Sequence, residues 1–173
     1  MNKKEIALEI KVAYLEFMAV INAMTEDEYT FQFQEKWSAA HQLEHIVLCV
    51  QPLVQVYGMN PTAIEQMFGR TNRPNRSYEE LKDLYIQKLE AGGKAPESFL
   101  PKVQGTKDQL LYTLNQLIEE FQQEIIALDE FELETLQIPH PLLELISLKE
   151  MAYNAIYHVQ HHQNLMLQYL KHK

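Results

Sequence analysis

The chain has 173 residues and a formal net charge of −9. That length suits one domain with a sizeable core, and that charge argues against nucleic-acid binding, which needs cations to neutralise phosphates. No apolar run approaches the roughly 20 residues of a membrane span, and a single cysteine rules out an intrachain disulfide framework and fits a reducing, cytoplasmic compartment.

Helix signals are frequent, strand signals are nearly absent, and glycines number five. The pattern predicts an all-α fold in which residues 1–173 form a single domain. The opening MNKKEIALEI alternates charge with aliphatics and does not read as a signal peptide. Ile6, Ile10, Ala13, Phe17 and Val20 recur at four- and three-residue steps, predicting a first helix over Lys3 to Met24. Thr25 to Glu28 reads as a small capping turn. A second long helix opens at Ser38 and is apolar all round from Ile46 to Val50, the mark of burial on several sides. Pro52 is expected to kink or end it.

From Gly58 to Gly105 the pattern changes. Asn60-Pro61 opens a short helix to Phe68. GRTNRPNRS then reads as a basic, turn-rich linker. A capping box of Ser77 and Glu80 starts another helix, which Gly92-Gly93 stops. Pro96 and Pro101 keep the next stretch extended. This region has too few apolar residues for a core of its own and is read as a long crossover.

Thr106 and Gln109 cap a third long helix, striped by Leu110, Leu114, Leu117, Phe121, Ile125 and Leu128. A loop containing Pro139-His140-Pro141 leads to Ser147 and Glu150, the capping box of a last helix running almost to the C-terminus. The predicted architecture is a four-helix bundle with a long crossover between helices 2 and 3 carrying extra short helices.

Seven histidines stand in the sequence. On the last helix the inward seam reads Leu148, Met151, Ala155, His158, His162, Leu165, Tyr169, so two imidazoles occupy positions that apolar residues fill on either side. Residues four apart share a helix face, with Cβ atoms roughly 5–6 Å apart. That spacing lets two imidazoles converge on one metal ion. His161 lies about 100° round the helix from His162 and is aimed less well. A third ligand should come from another helix, and the second helix offers His45 with His41 one turn before it. Taken alone, a histidine pair at this spacing is more often a surface or core feature than a metal site.

Trp37-Ser38, followed after six residues by His45-Ile46, resembles a segment of the DinB-like superfamily. Pro139-His140-Pro141, Ser147-Leu148-Lys149-Glu150 and Tyr157 to Gln163 resemble further segments of that superfamily in the same order. The resemblance covers roughly the first fifty and last forty residues; Gln163-Asn164-Leu165 replaces the glycine-glutamine pair that several relatives carry there. It implies a four-helix bundle and a divalent metal, nickel or zinc, held by His45, His158 and His162. Some relatives transfer a low-molecular-weight thiol such as bacillithiol, mycothiol or glutathione to small electrophiles.

Other residues carry expectations of their own. His41 and His161 are candidate substrate contacts or supports of the ligands, and His140 is read as a loop residue bordering the site. Cys49, in an apolar run, is read as a small core side chain, and Trp37 as a packing anchor. Glu44 adjoins a candidate ligand but projects elsewhere, so no general base is visible. Arg70, Arg73 and Arg76 form either a solvated linker or a fork for the carboxylates of a thiol cofactor, with Arg73 the substrate-binding candidate. Met59, Met67 and Phe68 are consistent with a homodimer surface. The functional expectation is a metal-dependent thiol transferase or hydrolase acting on a small-molecule substrate, without nucleic-acid or membrane partners. The alternative is a non-catalytic bundle with a structural metal, serving as a stress-related binding module.

Overall fold

A computed structural model describes all 173 residues. In chain order the elements are α1 (Lys3–Asn22), α2 (Glu26–Thr30), α3 (Ala39–Tyr57), α4 (Pro61–Phe68), α5 (Tyr78–Glu90), a 3₁₀ turn (Glu97–Phe99), α6 (Lys107–Ala127), α7 (Glu130–Thr135), β1 (Gln137–His140), β2 (Glu144–Ser147) and α8 (Leu148–Leu170). The four long helices make the bundle: α1 and α3 each pack against both α6 and α8. No helix is long and apolar enough to cross a membrane.

Helix starts follow the sequence closely, because capping chemistry is local. Ser38 caps α3, and the capping boxes of Ser77, Thr106 and Ser147 open α5, α6 and α8. The Thr25–Glu28 turn is itself a capping box and opens α2. Gly92, at φ +93°, stops α5, and a Cβ on Gly93 would stand 2.7 Å from the Lys88 carbonyl oxygen. That turn sends the chain across the bundle mouth.

Three expectations change. Helix α3 does not end at Pro52 but continues to Tyr57. Proline removes one helical hydrogen bond, but Val54 and Tyr57 beyond it are buried, and Tyr57 donates to the Leu148 carbonyl, so tertiary packing carries the helix on. The Pro139-His140-Pro141 loop belongs to an antiparallel hairpin pairing Gln137 with Ser147 and His140 with Glu144. A two-stranded ribbon has only edge strands, which tolerate Pro139, and four-residue strands are too short to show a period. The Asp129–Glu132 capping box also opens α7, a helix too short to carry an apolar stripe.

The third change concerns the basic linker, whose three arginines are half-buried and paired with carboxylates of the fold. The Thr71 amide donates to the Thr135 carbonyl at 2.7 Å, and Arg70 pairs with Glu65 while donating to Thr135. Arg73 grips both oxygens of Glu150, at 2.7 and 2.5 Å, and Arg76 adds its backbone amide at 2.9 Å. The Glu150 side chain is wholly buried at the first turn of α8, where its carboxylate also closes the capping box on the Ser147 amide. The crossover is thereby stapled to the start of the helix that carries His158 and His162. Ile64, Leu81 and Tyr85 of the crossover helices join the bundle's own hydrophobic cluster.

Burial alone would raise the Glu150 pKa, yet Arg73, the Arg76 amide and the Ser147 amide hold it below the ordinary carboxylate value. Replacing Glu150 with Ala removes the cap and leaves two arginines unpaired. Stability should fall by about 2–4 kcal/mol, a Tm loss of roughly 5–15 °C for a chain of this size, read by circular dichroism melts. A depressed carboxyl stabilises the fold above its unfolded pKa of roughly 4.3 and stops doing so as pH falls through its lower folded value. The gap between wild type and variant should therefore close as pH drops below about 4.

Candidate metal centre

Helix α8 presents His158 and His162 one turn apart, and α3 presents His45 from across the bundle. The Nε2 atoms of His158 and His162 are 2.9 Å apart, and those of His45 and His158 are 3.3 Å apart. One nitrogen from each of the three rings falls within 4.8 Å of the others.

The outward nitrogens fix which atoms carry protons. His45 Nδ1 lies 2.7 Å from the carbonyl oxygen of Phe99, which can only accept, so Nδ1 holds the proton and Nε2 keeps its lone pair. His162 Nδ1 donates in the same way to the Gln42 amide oxygen. Both lone pairs face the space beside His158 Nε2. Imidazole nitrogens about 2.0–2.1 Å from a tetrahedral ion stand about 3.3–3.4 Å from one another, so this donor set fits a divalent metal, and the Phe99 and Gln42 contacts are the supports such ligands require.

Burial lowers the pKa of all three histidines, most strongly for His158 and His162, and neighbouring imidazoles add to the effect. They are neutral at pH 7, the state in which a ring can ligate. Cys49 Sγ is 3.6 Å from His45 Nε2, but it is not among the donors that all lie within 4.8 Å of one another, which are those of His45, His158 and His162 alone. The cluster is therefore not closed by a fourth protein ligand. It opens on a cavity of about 350 Å³ whose lining contains no carboxylate and is mostly apolar.

The carbonyl that supports His45 comes from the crossover, and the residue before His45 puts it there. Glu44 accepts the backbone amides of Lys102, Val103 and Gln104 at 2.5, 2.5 and 2.9 Å. It holds them although Val103 sits at φ +52°. Lys94, Ala95, Pro96 and Phe99 then form one wall of the cavity.

His161, as expected, lies off the cluster; its ring lines the cavity with its centre 5.3 Å from that of His162. Trp37 is more than an anchor, since its ring stands 4.9 Å from the His45 ring and lines the cavity. His41 instead meets its own helix cap, with Nδ1 2.8 Å from Ser38 Oγ, and is not part of the cavity wall. Arg73 is likewise elsewhere, held by Glu150. Phe68, placed on a dimer surface by its sequence neighbours, lines the cavity, Met59 packs half-buried against the core, and Met67 alone of that group is exposed. Gln42 and Phe99 escaped the sequence reading because each acts across the bundle. Asn154 was findable: it lies one turn before His158 on the same face.

The family model described as the DinB superfamily matches residues 9–166. None of the curated proteins matches the chain. Among solved structures, YfiT from Bacillus subtilis, described as "a probable metal-dependent hydrolase with an unusual four-helix bundle topology", superposes with a TM-score of 0.66 at 14% identity. The match covers 98% of this chain and 86% of YfiT, and the two share the four-helix-bundle fold.

Replacing His158 with Ala should abolish stoichiometric metal binding, while His161→Ala should keep it, both read by elemental analysis of protein purified without a nickel column. The metal-free protein should stay folded at pH 7–8, since a large apolar core supplies its stability. It should weaken from about pH 6.5 downward, because the unfolded chain takes up protons there that the buried imidazoles refuse. Each such imidazole costs about 1.4 kcal/mol per pH unit below its ordinary pKa, so a melt series from pH 8 to 5 checks the slope.

Proposed function

We propose that this chain, which belongs to the DinB superfamily, is a metal-dependent hydrolase of small molecules, with His45, His158 and His162 as the metal ligands. The observation that carries the reading is the convergence of the three imidazoles at the wall of a cavity of about 350 Å³ with no fourth protein ligand closing it. Structural sites have closed shells; sites that do chemistry keep one position for water or substrate.

A divalent ion held there supplies Lewis acidity, which makes water a nucleophile near neutral pH. The chain's own residues supply the rest. Phe99 and Gln42 hold two ligand rings in one tautomer. The largely apolar walls restrict water, strengthening every charge interaction inside. His161 lines the cavity, and burial lowers its pKa, so it is neutral at pH 7 and has a ring nitrogen free to take a proton. In hydrolysis the water oxygen ends on the acyl carbon, the acyl–heteroatom bond breaks, and the leaving group receives the proton that His161 took from water.

Thiol transfer is the other reading of the family likeness. Bacillithiol and glutathione carry carboxylates, and those call for cations. Arg73 and Arg76 are engaged with Glu150, and Lys94 is the one Lys or Arg side chain on the cavity wall. That observation favours hydrolysis over transfer of those two thiols.

Metal-loaded protein should hydrolyse phenyl acetate, and chelation should abolish the activity. In His161→Ala, metal content should persist while kcat falls about 10²- to 10⁴-fold, the usual worth of a positioned base. Full metal occupancy without turnover on an ester, amide and lactone panel, together with a four-ligand shell by X-ray absorption, would instead mark the metal as structural.

A further inference from the structure

Asn154 lies on α8, 6% exposed, on the wall of the cavity one turn before His158. Its Nδ2 is buried and has no hydrogen-bond partner. The other end of the amide is committed. His140 Nδ1 accepts the amides of Leu142 and Leu143, both at 3.1 Å, so His140 Nε2 carries the ring proton and donates it to Asn154 Oδ1 at 3.1 Å. Turning the amide over would set Nδ2 against that N–H, so the hairpin fixes its direction. Burial lowers the His140 pKa to about 4, which keeps the ring neutral and the polarity of this chain constant at working pH.

An unmet buried donor costs free energy that an arriving acceptor relieves. Buried polar atoms without partners also occur at Tyr29 and Asn75, but neither residue borders this cavity. The surrounding wall is apolar, with Leu53, Val56, Phe68 and Leu89 among its members, and Lys94 is exposed.

We propose that Asn154 Nδ2 binds the substrate, and that the substrate is a small, uncharged, largely apolar compound offering a carbonyl oxygen to it. His140 is the positioning residue that aims the amide. The assignment deepens the hydrolase reading and rests on it for the fate of the bound carbonyl, whereas binding itself needs no turnover.

The test compares acetophenone with α-methylstyrene, which has the same shape with CH₂ in place of the carbonyl oxygen, on full-length ¹⁵N-labelled protein. The Asn154 side-chain amide is assigned as the resonance pair missing from Asn154→Asp. In wild type, acetophenone should shift that pair and α-methylstyrene should not. The ratio of the two affinities should fall about 3- to 10-fold in Asn154→Leu, the worth of one hydrogen bond. His140→Leu should lower the same ratio while leaving α-methylstyrene affinity in place. An unchanged ratio in Asn154→Leu, or acetophenone binding that leaves the wild-type resonance unmoved, would overturn the proposal. Should Asn154→Leu fail to fold, the wild-type spectra decide. Carbonyl preference without turnover on the ester, amide and lactone panel supports the Asn154 assignment and sinks the hydrolase reading; turnover with an unchanged ratio does the reverse.

Discussion

Everything near the centre of this protein depends on satisfying imidazoles inside an apolar bundle. A buried ring nitrogen without a partner is costly, and His45 and His162 each have one nitrogen turned outward and one inward. The Phe99 carbonyl and the Gln42 amide meet the outward nitrogens of His45 and His162. Once those protons are placed, the inward lone pairs converge. The metal-binding character of the cluster is thus set by groups that would never touch the ion.

That dependence explains two buried carboxylates that otherwise look out of place in the core. Glu44 collects three backbone amides from the stretch after Leu100 and so delivers the Phe99 carbonyl to His45. Glu150 collects Arg73, Arg76 and the Ser147 amide, fixing the start of α8 against the crossover. Both carboxylates are bound by several donors, the condition under which buried charge is tolerated. The crossover is therefore a working part of the site, one end gripping the ligand helix and the other supplying a wall and a carbonyl.

The cavity is polarised along α8. Three imidazoles gather at one level, and one turn earlier the Asn154 amide is held by His140 of the hairpin. Between and around them the walls are apolar. A site of this kind orients a ligand by very few polar contacts and leaves its remaining bulk to hydrophobic burial.

The sequence by itself determined the four bundle helices, most of their caps, the crossover and the pairing of His158 with His162, because helix period and capping act within a few residues. Resemblance of short motifs singled out His45 over His41; only the fold shows the reason, since His41 turns to Ser38 while His45 turns to Phe99. The arginines of the linker could not be read, since a charge run looks the same whether it meets water or a buried carboxylate 77 residues away. Pro52 does not end α3 for the same reason: local propensity yields when residues beyond it are buried. The hairpin was invisible because four-residue strands carry no usable period. Tertiary structure alone decided which side chains support the histidines, since a hydrogen bond between α3 and α8, or between α3 and the crossover, leaves no mark on the spacing of either segment.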